Sequence, residues 1–180
     1  MRAERRWTPT IAVVVVIAAV VLGGYVTADA LSASTAPPRT IGGVVTIDPA
    51  GGWRFVEDVG GPSGARITRG SGTLDVLTGP AVGDAAATAR AYVVGSLEPS
   101  SSPLSVSPGL DSVSVGGGLP AVRLSYSGVF DQSGVPIEGE VTVAVTRGGS
   151  AVVFDAWAPQ GQLRFELDDA HVMEAGAVIR

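Results

Sequence analysis

The fold is decided by residues 121–157, which read AVRLSYSGVF DQSGVPIEGE VTVAVTRGGS AVVFDAW. Apolar and polar residues alternate along Ala121–Val129 and, almost strictly, along Ile137–Thr146, which is the period of a β-strand with one face on a core. Ala151–Trp157 is nearly all apolar and predicts a central strand covered on both faces. Short turns join the three runs, and connections of this length link antiparallel neighbours. The stretch therefore predicts an antiparallel sheet.

The alternation also assigns the two faces of the middle strand. The predicted core face consists of Ile137, Gly139, Val141, Val143 and Val145. The predicted outer face consists of Glu138, Glu140, Thr142, Ala144 and Thr146.

Shorter runs on either side predict further strands, at residues 44–47, 53–56, 65–69, 73–78, 104–106, 112–115 and 177–179. Gly70-Ser71-Gly72 joins two of them as a hairpin. Gly83–Leu97 has apolar residues at helical spacing, with Asp84 as its cap. Gln162–Glu174 also predicts a helix, although residues 163–167 alternate like a strand. We expect an α+β fold with one antiparallel sheet of about six or seven strands and two packed helices.

A second feature lies near the N-terminus. Ile11–Val26 contains no charged residue and is composed mainly of Val, Ile and Leu. On an insertion scale these residues favour the bilayer by roughly 3 to 6 kcal/mol. Residues 7–26 would form a helix about 30 Å long, which matches one hydrocarbon thickness. We therefore expect a transmembrane signal-anchor helix that attaches the chain to the inner membrane.

The charges beside this helix predict its orientation. Three arginines lie among residues 1–6, and positively charged residues stay on the cytoplasmic side. We expect residues 1–6 to be a cytoplasmic tail, residues 27–39 an extracytoplasmic linker, and residues 40–180 a single extracytoplasmic α+β domain. The alternative is a signal peptide cleaved after Ala30, because Ala28-Asp29-Ala30 fits a small-x-small site. The protein would then be secreted.

Composition excludes several classes of function. The chain has no cysteine, so it has neither disulfides, nor cysteine metal sites, nor a thiol nucleophile. Beyond residue 30 there are 15 acidic and 9 basic residues, which gives a net charge of −6. This charge argues against nucleic acid and anionic lipid surfaces as partners.

Few side chains are suited to catalysis. His171 is the one histidine and stands close to Asp168 and Asp169. It is either a general base or metal ligand with those carboxylates, or a solvated helix residue, which is the interpretation we favour. Glu138 and Glu140 share a strand face as a glycosidase pair would, but such neighbours more often only contact water. One histidine cannot build a three-histidine zinc site.

Other polar and aromatic residues receive structural interpretations. Asp155 is a charge within an apolar strand, and we expect an ion pair with Arg123 of an adjacent strand. Asp131-Gln132-Ser133-Gly134 has too few oxygen ligands for calcium and predicts a turn. Gly116–Gly118 has no following Lys-Ser/Thr and is no phosphate loop. The aromatic residues are expected in the core, with a ligand groove between sheet and helix as the alternative for Trp53, Tyr126 and Trp157.

Three segments suggest a known family. They are Pro49-Ala50-Gly51-Gly52-Trp53, Gly117–Tyr126 (GGLPAVRLSY), and Phe154-Asp155-Ala156-Trp157 before the last helix. Over about residues 40–180 the chain resembles small membrane-anchored cell-envelope proteins of actinobacteria with the PsbP-like α/β sandwich. That family includes photosystem accessory subunits and mycobacterial envelope lipoproteins. This chain lacks the lipidation cysteine. The family shares no catalytic residues, so the resemblance implies a binding or assembly role.

The sequence thus predicts a non-catalytic, membrane-tethered binding or assembly module of the bacterial cell envelope. We expect no catalytic, cofactor-binding or metal-ligating residues, and we expect the inner membrane and another envelope protein as partners. One alternative is an extracytoplasmic hydrolase that uses His171 with a serine or a carboxylate. Another is a carrier of a small apolar ligand, with a closed cavity of about a few hundred Å³ near Tyr92, Tyr126 and Trp157.

Overall fold

The computed structural model describes residues 36–130 and 133–180. Its strands are β1 Arg39–Ile41, β2 Val45–Ile47, β3 Arg54–Glu57, β4 Gly64–Arg69, β5 Gly72–Pro80, β6 Ser101–Val106, β7 Asp111–Val115, β8 Leu119–Phe130, β9 Pro136–Val145, β10 Ser150–Pro159 and β11 Val178–Ile179. The α-helices are α1 Ala85–Tyr92 and α2 Leu167–Gly176. Short helical turns lie at Gly61–Ser63, Val93–Leu97, Glu98–Ser100 and Leu163–Phe165.

The strands form one large sheet and one small sheet. The large sheet has eight strands in the order β3-β4-β5-β10-β9-β8-β6, with β7 also paired to β8, and its pairings are antiparallel. The small sheet is β1-β2-β11. The α+β class, the antiparallel pairing and the two helices are therefore confirmed. The predicted count of six or seven strands was too low, and the small sheet was not predicted as a separate layer.

The predicted membrane segment cannot be compared with the structure. The helix at residues 7–26, the tail at 1–6, the cut after Ala30 and most of the linker at 27–39 lie outside the described residues. Within the described ranges, no helix combines the length and the apolar character that crossing a bilayer requires.

The two helices form where the sequence predicted them. The Asp84 carboxylate accepts a hydrogen bond from the Ala87 backbone N–H at 2.8 Å, which caps α1. The predicted helix at Gly83–Leu97 continues past Tyr92 as a π-helical turn. The ambiguous segment Gln162–Glu174 is helical, first as a short 3₁₀ turn and then as α2.

Both faces of the large sheet are covered. Helix α1 packs on one face, over Leu124, Val141 and Val153. Helix α2 and the small sheet pack on the other face, over a core that contains Trp53 and Phe154. Each large apolar side chain buried in this way contributes about 1.5–3 kcal/mol.

The predicted outer face of β9 is therefore wrong. Thr142 and Ala144 are fully buried, because α2 and the small sheet cover the face that the alternation assigned to solvent. Only the end of that face that carries Glu138 and Glu140 stays partly open. The prediction for Ala151–Trp157, a central strand covered on both sides, is confirmed: β10 lies between β5 and β9, and its residues 151–156, which alternate between the two faces, are all buried.

Candidate functional site

An open groove of about 500 Å³ lies on the α2 side of the large sheet, where β6, β8 and β9 run side by side. Its floor has two rows of residues across the strands. One row is Ser105, Ser127 and Glu138, which are register partners. The second row is Ser107, Ser125 and Glu140, since the Ser107 N–H donates to the Ser125 carbonyl at 2.8 Å and Ser125 lies opposite Glu140. We call this surface the serine–glutamate groove.

The segment before α2 forms one wall of the groove, through Leu163, Arg164 and Leu167. Glu138 holds this wall in place. Its Oε1 accepts hydrogen bonds from the backbone N–H groups of Gly161, at 2.9 Å, and Leu163, at 3.1 Å. Its other oxygen has no hydrogen-bond partner among the described residues. Glu138 is therefore a fixed carboxylate with one oxygen available to a ligand.

Glu140 is fixed by a different partner. Its Oε2 lies 3.0 Å from His171 Nε2 on α2 and 3.6 Å from Arg123 Nε on β8. The hydrogen bond from His171 is the main reason that the pKa of Glu140 is lowered, with the charge of Arg123 adding to the effect. The Glu140 carboxylate is thus ionised at neutral pH, and its Oε1 has no partner in the described ranges.

Behind Glu140 lies a buried ion pair. Arg123 donates to Glu174 Oε2 at 2.5 Å and to Thr142 Oγ1 at 2.9 Å. Glu174 is 1% exposed, and its Oε1 has no partner in the described part of the chain. Burial raises the pKa of Glu174, and the opposing charge of Arg123 limits that rise. This pair fastens α2 to the sheet behind the groove.

These contacts correct two predictions. His171 is neither simply solvated, as we favoured, nor paired with its sequence neighbours. It is a partly exposed partner of Glu140 on another element, while Asp169 pairs with Arg69 and Asp168 is exposed. Arg123 does not pair with Asp155. The two residues lie on opposite faces of the sheet, because Arg123 shares a cross-strand row with Thr142 whereas Asp155 shares one with Val141.

Asp155 instead forms the centre of a buried network on the α1 face. Its two carboxylate oxygens accept hydrogen bonds from the hydroxyls of Tyr92 on α1, at 2.7 Å, and Tyr126 on β8, at 2.8 Å. Burial raises the pKa of Asp155 to about 7, against the effect of the two hydroxyl donors. Burial and the Asp155 charge likewise raise the pKa of both tyrosines. The network ties α1 to the middle of the sheet.

A second buried carboxylate continues this network. Asp75 lies opposite Asp155 in register and is held by two hydrogen bonds from Arg66, at 2.7 and 2.8 Å. The indole N–H of Trp157 donates to Asp75 at 3.2 Å, and the Arg66 guanidinium lies 5.5 Å from the Trp157 ring centroid. Arg66 also donates to Glu57 at 2.5 Å. A bidentate pair of this kind is the strongest form of carboxylate recognition.

The proposed aromatic ligand groove is wrong. Trp53 packs in the α2-side core, whereas Tyr126 and Trp157 pack in the α1-side core, so one groove cannot contact all three. The structure also argues against the alternative of a closed apolar cavity near Tyr92, Tyr126 and Trp157. The space between the two tyrosine hydroxyls is taken by the Asp155 carboxylate.

Several participants were missed at the sequence level. Asp75 interrupts an apolar strand (Thr73–Thr78) in the same way as Asp155, and that signal alone would have marked it as a buried partner. Arg66 and Tyr92 gave no comparable signal. The serines of the groove were missed because a Ser-x-Ser pattern on a strand is common, and only the pairing of β6, β8 and β9 places the two patterns side by side. Asp131 and Gln132 lie outside the described residues.

The site offers hydrogen-bond acceptors and hydroxyls. In residues 36–130 and 133–180, no group of three or more His, Asp or Glu side chains is placed to hold a metal ion. The carboxylates of the groove each have one oxygen bonded to the protein and one with no hydrogen-bond partner among the described residues. This arrangement suits recognition of a ligand that donates hydrogen bonds.

Comparisons with known proteins give the fold. No protein-family model matches the chain, and no curated protein matches it. The solution structure of cyanobacterial PsbP (CyanoP) from Synechocystis sp. PCC 6803 matches with a TM-score of 0.56 at 14% identity, over 82% of this chain and 94% of that one. LpqN, involved in cell envelope biogenesis of Mycobacterium tuberculosis, matches with a TM-score of 0.57 at 17% identity, over 75% of this chain and 82% of that one. The chain therefore has a PsbP-like fold.

Proposed function

We propose that the protein is a non-catalytic binding module of the bacterial cell envelope, tethered to the inner membrane by residues 7–26 with residues 40–180 on the extracytoplasmic side. The apolar run Ile11–Val26 and the arginines before it support the tether and its orientation. The fold that the chain shares with LpqN, a protein involved in cell envelope biogenesis, supports the compartment. The partner expected is another component of the envelope.

The observation that carries this proposal is how the ionisable groups of the serine–glutamate groove are hydrogen-bonded. The described lining of the groove includes no histidine, and both of its glutamates also hold other parts of the protein. Glu140 pairs with His171, and Glu138 accepts two backbone hydrogen bonds that hold the segment before α2. The groups that would do chemistry hold the structure together, and an accessible polar surface remains. That combination favours recognition over catalysis.

The experiment is site-specific photo-crosslinking in living cells. A benzophenone amino acid is placed at Ser105 or Ser127, which are exposed in the groove, and at Ser114 as a matched control. Ser114 is an exposed strand serine on β7, and it does not line the groove. We expect a crosslinked species in the membrane fraction from the groove positions and none from Ser114.

Protease added to protoplasts tests the compartment in the same strain. Residues 40–180 should be digested without lysis, while a cytoplasmic marker remains intact. Protection of the domain until lysis would contradict the extracytoplasmic placement. Crosslinking that is equal at Ser114 and in the groove would contradict the groove as the binding surface.

One observation favours the hydrolase as a second candidate. The His171–Glu140 hydrogen bond resembles the base and its orienting carboxylate in a catalytic triad. That function requires a nucleophile beside the second ring nitrogen of His171. It predicts that His171→Ala abolishes turnover of a substrate, whereas the binding module predicts unchanged crosslinking from Ser105 and Ser127 in that variant.

A further inference from the structure

We infer that the serine–glutamate groove binds a neutral carbohydrate through the hydroxyl groups of the sugar. This inference rests on the proposed function, because it names the class of ligand for the same groove. The observations that carry it are the regular array on the groove floor, the free hydrogen-bonding atoms in that array, and the balance of charge around it.

The array has the dimensions of a small oligosaccharide face. Neighbouring strands are about 4.8 Å apart, and residues two positions apart on a strand are separated by about 7 Å. The two rows of three therefore cover a patch of roughly 10 by 7 Å. Within it, each row presents two serines and one glutamate: the glutamates are on β9, and the serines are on β8 and on β6 or, for Ser107, directly after β6.

The atoms of the array match sugar hydroxyls. The hydroxyls of Ser105, Ser125 and Ser127 have no hydrogen-bond partner among the described residues, and one oxygen of each glutamate is also free there. A serine hydroxyl donates and accepts, whereas an ionised carboxylate only accepts. A sugar hydroxyl does both, so adjacent sugar hydroxyls are able to donate to the carboxylates and exchange hydrogen bonds with the serines. Hydrogen bonds to the charged acceptors are the stronger ones.

The carboxylates are also held before any ligand arrives. Glu138 is fixed by the N–H groups of Gly161 and Leu163, and Glu140 is fixed by His171. Side chains that are already ordered lose little conformational freedom on binding. The wall formed by Leu163 and Leu167 gives the apolar C–H face of a sugar ring a surface to pack against.

Charge argues for a neutral ligand. Two carboxylates on the floor disfavour phosphates and carboxylic acids by repulsion. A cationic ligand is also disfavoured, since Arg123 lies 3.6 Å from Glu140 and Arg164 lines the groove wall. Glu140 is therefore not left as an isolated negative charge for an amine, and the Arg164 guanidinium in the wall adds repulsion against a cation. A ligand with many hydroxyls and no charge satisfies both conditions.

The test is saturation-transfer difference NMR on the full chain in a zwitterionic detergent. Alkyl glucoside and maltoside detergents must be avoided, because their headgroups have the chemistry of the proposed ligand. The probes are neutral tetrasaccharides of glucose, mannose, galactose and arabinose, with putrescine and citrate as charged probes. We expect saturation transfer to at least one neutral sugar, and none to putrescine or citrate.

Two groove variants and one control variant localise the binding. Ser127→Leu should remove sugar binding by filling the centre of the floor, while Ser114→Leu, at the exposed control position, should leave it unchanged. Glu138→Gln keeps an oxygen for the backbone N–H groups but loses the charged acceptor, and should weaken binding roughly tenfold or more. Thermal unfolding of each variant checks that it is folded.

The inference is overturned if no neutral sugar binds, if the charged probes bind in place of sugars, or if Ser127→Leu and Ser114→Leu behave alike. Failure of the proposed function gives a different result. Sugar binding by a domain that is protected in protoplasts contradicts the compartment only. A groove crosslink to an envelope protein, with no sugar bound, contradicts the ligand only.

Discussion

Asp155 of β10 lies directly opposite Asp75 of β5 in the large sheet, and both carboxylates are buried. The two are stabilised in different ways. Asp75 has a bidentate pair with Arg66, whereas Asp155 has two tyrosine hydroxyls and no cation among its described partners. Two hydroxyl donors do not offset the desolvation of a fully buried charge, so the pKa of Asp155 rises to about 7. Several predictions about stability depend on this difference.

The first prediction concerns pH. The pKa of Asp155 rises from 3.8 in the unfolded chain to about 7 in the folded protein, so between these values the folded state binds a proton that the unfolded state has released. This group therefore stabilises the fold most at acidic pH. The contribution of Asp155 to the free energy of unfolding falls by up to about 1.4 kcal/mol per pH unit as pH rises toward 7, and it is lost above pH 7.

The measurement is urea unfolding of the wild type and Asp155→Asn between pH 4 and pH 8. The raised pKa of Glu174 acts in the same direction as that of Asp155, and the lowered pKa of Glu140 acts in the opposite direction. We therefore compare, between the two proteins, how steeply the free energy of unfolding declines as pH rises. We expect a smaller decline with pH in Asp155→Asn and an unchanged slope in Asp111→Asn, which alters an exposed carboxylate. Identical slopes in the wild type and Asp155→Asn would contradict the assignment.

The second prediction concerns the hydroxyl donors. Tyr126→Phe and Tyr92→Phe each leave the ionised Asp155 with one hydrogen bond, and each should lower the free energy of unfolding at pH 8 by about 1.5–3 kcal/mol. At pH 5 the carboxylate is neutral, so the loss should be smaller. In an Asp155→Asn background each tyrosine substitution should cost only about 0.5–1.5 kcal/mol. An equal cost in both backgrounds would show that the hydroxyls do not act through Asp155.

The sequence predicted the sheet because its signals were local. Alternation along Ile137–Thr146 and the short turns around it determine strand pairing without reference to the rest of the chain. The cover on the second face was not predictable in this way. It comes from α2 and from β1, β2 and β11, which lie at the two ends of the described chain and meet only in the fold.

The contacts of the candidate site were also not predictable from local sequence signals. Two signals, a lone histidine and a charge within an apolar strand, correctly marked His171 and Asp155 as unusual. Their partners lie 31 residues away for His171 and 29 and 63 residues away for Asp155, so the neighbouring carboxylates were the wrong choice for His171 and Arg123 was the wrong choice for Asp155. Two residues pair only if their side chains lie on the same face of the sheet. The register between the strands determines that face.

The third prediction concerns Gly139, the register partner of Tyr126. A Cβ atom at this position would lie 2.3 Å from Cζ of the Tyr126 ring, which is itself buried. Gly139→Ala should therefore displace the ring and its hydrogen bond to Asp155, and should lower the free energy of unfolding by at least about 1–3 kcal/mol. Gly79→Ala is the matched control, because a Cβ at Gly79 on β5 meets nothing within 4 Å.

Thermal unfolding of the two glycine variants gives the comparison. We expect a clear decrease in Tm for Gly139→Ala and a change near zero for Gly79→Ala. In a Tyr126→Ala background the additional effect of Gly139→Ala should disappear, since the ring that it displaces is gone. If the effect persists there, the clash with Tyr126 is not its cause.

The last prediction separates the structural ion pair from the groove. Arg123→Met leaves Glu174 buried without its cation, and breaking a buried pair from one side costs about 3–5 kcal/mol. The loss should be smaller at acidic pH, because burial raises the pKa of Glu174 and the unpaired carboxylate takes up a proton more readily still. Arg54→Met, on an exposed arginine of the edge strand β3, should change stability little.

A second substitution determines the cause of that loss. Adding Glu174→Gln to Arg123→Met removes the buried charge, and should recover most of the stability at neutral pH. His171→Ala removes only a partly exposed partner of Glu140, and should cost less than about 1 kcal/mol. Urea unfolding at pH 5 and pH 8 measures the free energy of unfolding of each of these variants. If Glu174→Gln gives no recovery, the role of Arg123 is packing of its aliphatic stem, because an uncompensated charge on Glu174 would have been relieved by the second change.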